Sequence, residues 1–137
     1  MDTQIFVNLP VKNLEISKTF YKQLGFSINP QFTDETAACV VISDTIYVML
    51  LTHEKAKQFT SKKIADAHET TEVLNALSTQ SKEMVDEFVD KALNNGGKEA
   101  GETQDLGFMY SRSFSDPDGH IWEVLWMDME AVENDQE

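Results

Sequence analysis

The chain has 137 residues, 41% of them hydrophobic, which is enough for one domain with a sizeable core. Its formal net charge of −13 argues against nucleic acid as a partner, because phosphates need a basic face; the same charge suits a cationic ligand, or simply solubility. No apolar run approaches the roughly 18 residues that span a bilayer, the opening MDTQIFVNLPV lacks the order of a secretory leader, and the lone cysteine, Cys39, fits a buried thiol in a reducing cytoplasm.

Residues 5–11 alternate, with Ile5, Val7, Leu9 and Val11 on one side and Phe6, Asn8 and Pro10 on the other, which predicts a strand. Asn13 then caps a helix over 14–24 whose stripe is Ile16, Phe20 and Leu24, and Gly25 ends it. A strand is predicted over 26–32, with Pro30 marking an edge or bulge. Two more follow over 37–43 and 45–52; the second, containing IYVMLL, is apolar enough to be covered on both faces. Residues 53–64 are polar and lysine-containing and read as a loop with one short helix over an opening.

A second round begins with a strand over 72–79. Ser81 caps a helix over Lys82–Asn94, with Val85, Phe88, Val89 and Ala92 on its apolar side, and Asn95-Gly96-Gly97 stops it. A short strand is predicted over 98–104. The last elements are a hairpin, 110–115 and 120–127, around the turn Asp116-Pro117-Asp118-Gly119. In its second strand His120, Trp122, Val124 and Trp126 point one way and Ile121, Glu123, Leu125 and Met127 the other. Glu123 is therefore a single carboxylate in an apolar strand. Either it is solvated on a half-exposed face, or it is buried and must be paired, hydrogen-bonded, metal-bound or protonated.

The two rounds form an internal repeat: Asn13 and Ser81 are separated by the same interval as Phe20 and Phe88. The expected class is α+β, two βαβββ modules forming curved mixed sheets around a concave cleft. One domain covers 1–129, with modules at about 3–52 and 70–128, and an acidic disordered tail fills 130–137. Concave apolar surfaces with a few polar groups are the usual small-molecule sites.

The segments LPVKNLEISKTFYKQLGF at 9–26 and DPDGHIWEVLW at 116–126 resemble the vicinal oxygen chelate superfamily, which includes glyoxalase I, extradiol dioxygenases, and fosfomycin- and bleomycin-resistance proteins. The resemblance spans all but the tail and implies the paired-module fold. It also implies a set of metal-ligand positions: the first at Phe6, the second within 45–52, the third near Leu74 and the last at Glu123. Only Glu123 carries a donor, too few for a divalent ion that needs three or four protein ligands. Glu72 would share the strand face of Leu74 and join Glu123 if the register shifted; His53, His68 and His120 read as loop or surface histidines.

The expected site is therefore a metal-free cleft based on Glu123, with Phe6, Asn8, Met49, Leu74, Phe108 and Tyr110 as walls. Arg112 either pairs with Glu123 or an anionic ligand, or stays at the surface. Glu123 would anchor a ligand or act as a general base. The resemblance to bleomycin-resistance proteins implies a small cationic or aromatic ligand, a homodimer and no cofactor. Its alternative is a metal-dependent lyase or dioxygenase of the glyoxalase I or extradiol dioxygenase type.

Overall fold

Two capped helices punctuate the chain, and a computed structural model describes residues 2–131 of it. Asn13 accepts a hydrogen bond from the Ile16 amide at 3.1 Å and opens α1 (Leu14–Gln23). Ser81 does the same for the Met84 amide, also at 3.1 Å, and opens α3 (Lys82–Asn94). Both helices close on a glycine of positive φ: Gly25 at 104° and Gly96 at 107°. The chain divides into two compact units, Met1–Thr70 and Thr71–Glu137.

In the first unit the strands are β1 (Ile5–Val11), β2 (Ser27–Asn29), β3 (Ala37–Val41) and β4 (Ile46–Thr52), ordered β1-β4-β3-β2 in one sheet. β1 and β4 run parallel; the other pairs are antiparallel. Leu9, Val11, Ala38, Val40, Val48 and Leu50 share one face and are buried with Leu14, Phe20, Tyr21 and Leu24 of the α1 region. The expected stripe is right at Phe20 and Leu24 and wrong at Ile16, which is 55% exposed. Helical periodicity instead buries Leu14, Ser17 and Tyr21 beside Phe20. Pro30 shortens the predicted 26–32 strand: it starts a 3₁₀ turn over Pro30–Phe32, with Asn29 capping it.

Ser17 has a consequence for stability. Its hydroxyl is buried in α1 without a hydrogen-bond partner, and serine is a poorer helix former than alanine. Ser17→Ala should raise unfolding stability by about 0.5–1 kcal/mol in urea denaturation; a destabilised variant would mean the hydroxyl is satisfied.

On the opposite face of this sheet Ala37, Leu51 and Ala56 form a small buried cluster, with Met49 and Ile64 against it. Ala56 belongs to α2 (His53–Ala56), the short helix expected in the polar connection. That connection therefore folds back over part of its own sheet. Cys39 is fully buried, and burial raises its thiol pKa, which keeps it protonated and unreactive.

In the second unit β5 (Leu74–Ser78), β9 (Ile121–Met127), β8 (Met109–Ser115) and β6 (Lys98–Glu99) are neighbours in that order, and β7 (Gln104–Asp105) also pairs with β8. The strand expected over 98–104 is thus two short ones. β5 and β9 are parallel and β8–β9 is the antiparallel hairpin. Val85, Val89 and Ala92 of α3 are buried with Phe114, Trp122 and Val124; the Phe88 and Phe114 rings lie 5.9 Å apart. In the hairpin turn the Asp116 carboxylate accepts from the amides of Asp118 and His120, both at 2.9 Å, and Gly119 takes φ of 91°.

The expected tail over 130–137 lies, from 132 on, outside the described residues. Residues 129–131 form a helical turn in which Asp128 accepts from the Glu130 and Ala131 amides. Among the described residues no helix is long and apolar enough to cross a membrane.

Candidate functional site

Alternation along β9 places Glu123. Its neighbours Trp122 and Val124 are buried, so the carboxylate projects from the other face of the sheet and is exposed. Of the two readings open from the sequence, the structure holds the exposed one. Across the hairpin Ser113 stands opposite Glu123, and Ala76 of β5 flanks it on the other side. Ser111, two residues along β8, shares that face and is only 4% exposed; Gln104 of β7 stands opposite Ser111. Gly101, Glu102, Gln104, Ser111, Ser113 and Glu123 line a depression of about 190 Å³. Among the described residues the carboxylates of Glu102 and Glu123 and the hydroxyl of Ser111 have no hydrogen-bond or ion-pair partner.

Tyr110, expected as a wall of this cleft, stands on the other face, and so does Arg112, for which pairing with Glu123 and a surface position were both open. Their register partners are Trp126 and Val124, so they point to the α3 side. There the Tyr110 hydroxyl donates to Asp86 at 2.7 Å, and the Arg112 guanidinium reaches Asp86 and Asp90, both at 3.0 Å. Arg112 borders the depression, but its side chain is 14% exposed and its guanidinium is engaged by helix carboxylates rather than by Glu123. Burial disfavours the Arg112 charge, yet the bonds to Asp86 and Asp90 outweigh it and hold its pKa above the usual value.

The hydrogen bond to Asp86 raises the Tyr110 pKa, with burial adding to it. A phenol whose pKa rises on folding lends stability that is complete below its unfolded value and disappears as pH climbs through the folded one. An absorbance titration should therefore find one tyrosine ionising above the free phenol near pH 10, and Asp86→Asn should bring it back. An unshifted Tyr110 signal would contradict the bond.

The remaining candidates fall as follows. In the first unit Phe6 is exposed and its ring stacks on Tyr47 at 4.8 Å, almost parallel; Asn8 is exposed and Met49 is half-buried beside the Leu51 cluster. In the second, Leu74 is exposed and paired with Ile121, and Phe108 is half-buried just before β8, its carbonyl accepting from the Asp128 amide. Glu72 does not join Glu123. It precedes β5 and its Oε1 lies 2.6 Å from Nδ1 of His120. His120 is thus no surface histidine: it is 2% exposed. His53 and His68 are exposed, as expected.

Within each unit taken by itself, the residues at the expected positions do not make up a donor set for a divalent ion. Phe6 is an aromatic stack, β4 presents Tyr47, Met49 and Leu51 on the same face, Leu74 is aliphatic, and Ala76 and Ser113 flank Glu123. Among the described residues no three His, Cys, Asp or Glu side chains are grouped so as to hold a metal. Serines and Gln104 are what sequence reasoning missed. The signal was present: the alternating serines of SRSFS in β8 lie across from Glu123, but only the hairpin register reveals it.

The family described as bleomycin resistance protein-like N-terminal matches residues 3–43. The chain is 31% identical to hypothetical protein SA1046 from S. aureus, over 92% of this chain and 95% of that one, with a TM-score of 0.76. The chain belongs to the glyoxalase/bleomycin-resistance/dioxygenase family, the vicinal oxygen chelate superfamily. Other members share the fold at lower identity. A glyoxalase/bleomycin resistance protein/dioxygenase family enzyme from Burkholderia phytofirmans PsJN is 16% identical, with a TM-score of 0.77 over 92% of this chain and 99% of that one. Fosfomycin resistance protein FosX from Mesorhizobium loti is 15% identical, with a TM-score of 0.69 over 96% and 98%. No curated protein sequence is significantly similar to the chain.

Proposed function

We propose that this superfamily member is a small-molecule-binding protein that works without a metal, taking a cationic or aromatic ligand against Glu123. The observation that supports this most is the company Glu123 keeps. Its neighbours on the same sheet face are Ser113 and Ala76, which cannot complete a coordination shell but leave the carboxylate open to an organic ligand. In this reading Glu123 anchors the ligand and is the group to act as a general base if any proton is moved. We place the protein in the cytoplasm, in keeping with its single buried thiol, and expect two copies to pair as a homodimer, as the family resemblance implies.

A thermal-shift screen of small organic molecules with a chelator present tests the reading. A ligand at a hundred times its Kd should raise Tm by roughly 10 °C, and Glu123→Gln should abolish the shift. Stabilisation that disappears with the chelator would support a metal-dependent lyase or dioxygenase in its place.

A further inference from the structure

We infer that the depression around Glu123 is a subsite for an organic cation, a primary ammonium or a guanidinium group. The inference rests on the reading that Glu123 marks a ligand site, and it names the chemistry that site selects.

Two carboxylates, Glu102 and Glu123, open onto the same small hollow, and among the described residues neither has a cationic partner. Arg112 borders the hollow but spends its charge on Asp86 and Asp90. An anion entering there would meet two like charges; a cation would meet only that of Arg112, which Asp86 and Asp90 already offset. Acidic side chains alone are ordinary on a chain this acidic, and two further observations set this place apart. First, Ser111 is 4% exposed, faces the hollow and has no hydrogen-bond partner among the described residues. Its hydroxyl opens onto the hollow rather than bonding within the protein, so a donor supplied by a ligand would find a free acceptor there. Second, Gly101 lines the hollow, and a Cβ there would stand 3.0 Å from the Ser113 hydroxyl. A larger side chain at this position would crowd that end of the hollow.

The chemistry then matches by count and by size. An ammonium group offers three donors and a guanidinium five, with no acceptor in either. The hollow offers acceptors: two carboxylates, the hydroxyls of Ser111 and Ser113, and the amide oxygen of Gln104. At about 190 Å³ it holds a head group and not a whole drug-sized molecule, for which pockets start near roughly 300 Å³. The rest of the ligand lies outside it.

The experiment is an amide NMR titration of the full chain with n-butylammonium and n-butylguanidinium, beside n-butanol and butyrate. The two cations should give saturable shifts at Gln104, Ser111 and Ser113, and the neutral and anionic probes should give none. Affinity should fall about tenfold in Glu123→Gln and about fivefold in Glu102→Gln. Gly101→Val, which leaves the charge unchanged, should also weaken binding about tenfold by filling the space. Each variant's amide dispersion reports whether it remains folded. Equal shifts with butanol, no shifts with any probe, or cation shifts that persist in both glutamine variants would overturn the inference. If the thermal screen finds a neutral ligand that needs Glu123 while the cations do nothing here, this inference falls and the binding-protein reading survives. If the screen's stabilisation proves chelator-sensitive, that reading falls regardless of the NMR result.

Discussion

Gly97→Ala should destabilise the protein by about 3 kcal/mol, a drop in Tm of roughly 10 °C. A Cβ at position 97 would stand 2.8 Å from the carbonyl oxygen of Ala92 and 3.0 Å from that of Ser115. Both are backbone atoms, one at the end of α3 and one at the end of β8, so neither can swing aside as a flexible side chain would. The Gly97 amide also donates to the Ala92 carbonyl at 2.8 Å, and relieving the clash stretches the bond that closes the helix. Gly25→Ala is the control. Gly25 also follows a helix and has φ of 104°, but nothing lies within 4 Å of its Cβ position. It should cost only the backbone strain, about 1–2 kcal/mol. Urea denaturation of the two variants separates close approach from backbone conformation; a Gly97→Ala no worse than Gly25→Ala would contradict the packing described.

His120→Ala should cost a similar amount, about 3 kcal/mol. The ring is 2% exposed and its Nδ1 lies 2.6 Å from Glu72, so truncation leaves a cavity and removes a partner from a carboxylate whose side chain is only 25% exposed. The damage should be local to the β8–β9 turn, because the His120 amide and carbonyl both bond Asp116 there. Glu72→Gln should cost about 1 kcal/mol, since an amide still reaches the ring and solvent reaches the amide. Equal losses from the two variants would mean the pair matters more than the packing of the ring.

Both predictions concern residues whose roles differ in how far they can be read from the chain. Gly97 sits in a visible helix stop, Asn95-Gly96-Gly97, because capping and positive φ are local properties. The same locality makes Asn13, Ser81 and the Asp116–Gly119 turn readable, and the repeat follows from them. His120 is different. Alternation puts it on the face away from Glu123, but its partner Glu72 is distant in the chain, and a residue that looks like a loop histidine becomes a core one. The side on which Tyr110 and Arg112 stand is hidden for a related reason. Their side follows from pairing Ser113 with Glu123, and that register depends on how many residues the turn consumes. With it set, the expected apolar wall becomes a serine-lined face, and the arginine belongs to Asp86 and Asp90. Ile16 shows the limit of a four-residue rule: the buried stripe of α1 passes through Leu14, Ser17 and Tyr21 instead.

The most direct test of a site without metal is a calorimetric titration of Mn²⁺, Ni²⁺ and Zn²⁺ into chelator-treated protein and into its Glu123→Gln variant. One carboxylate flanked by Ser113 and Ala76 should give no saturable binding in either protein. A single tight equivalent in the parent protein that is lost in Glu123→Gln would contradict this account and assign the chain to the metalloenzymes of its superfamily.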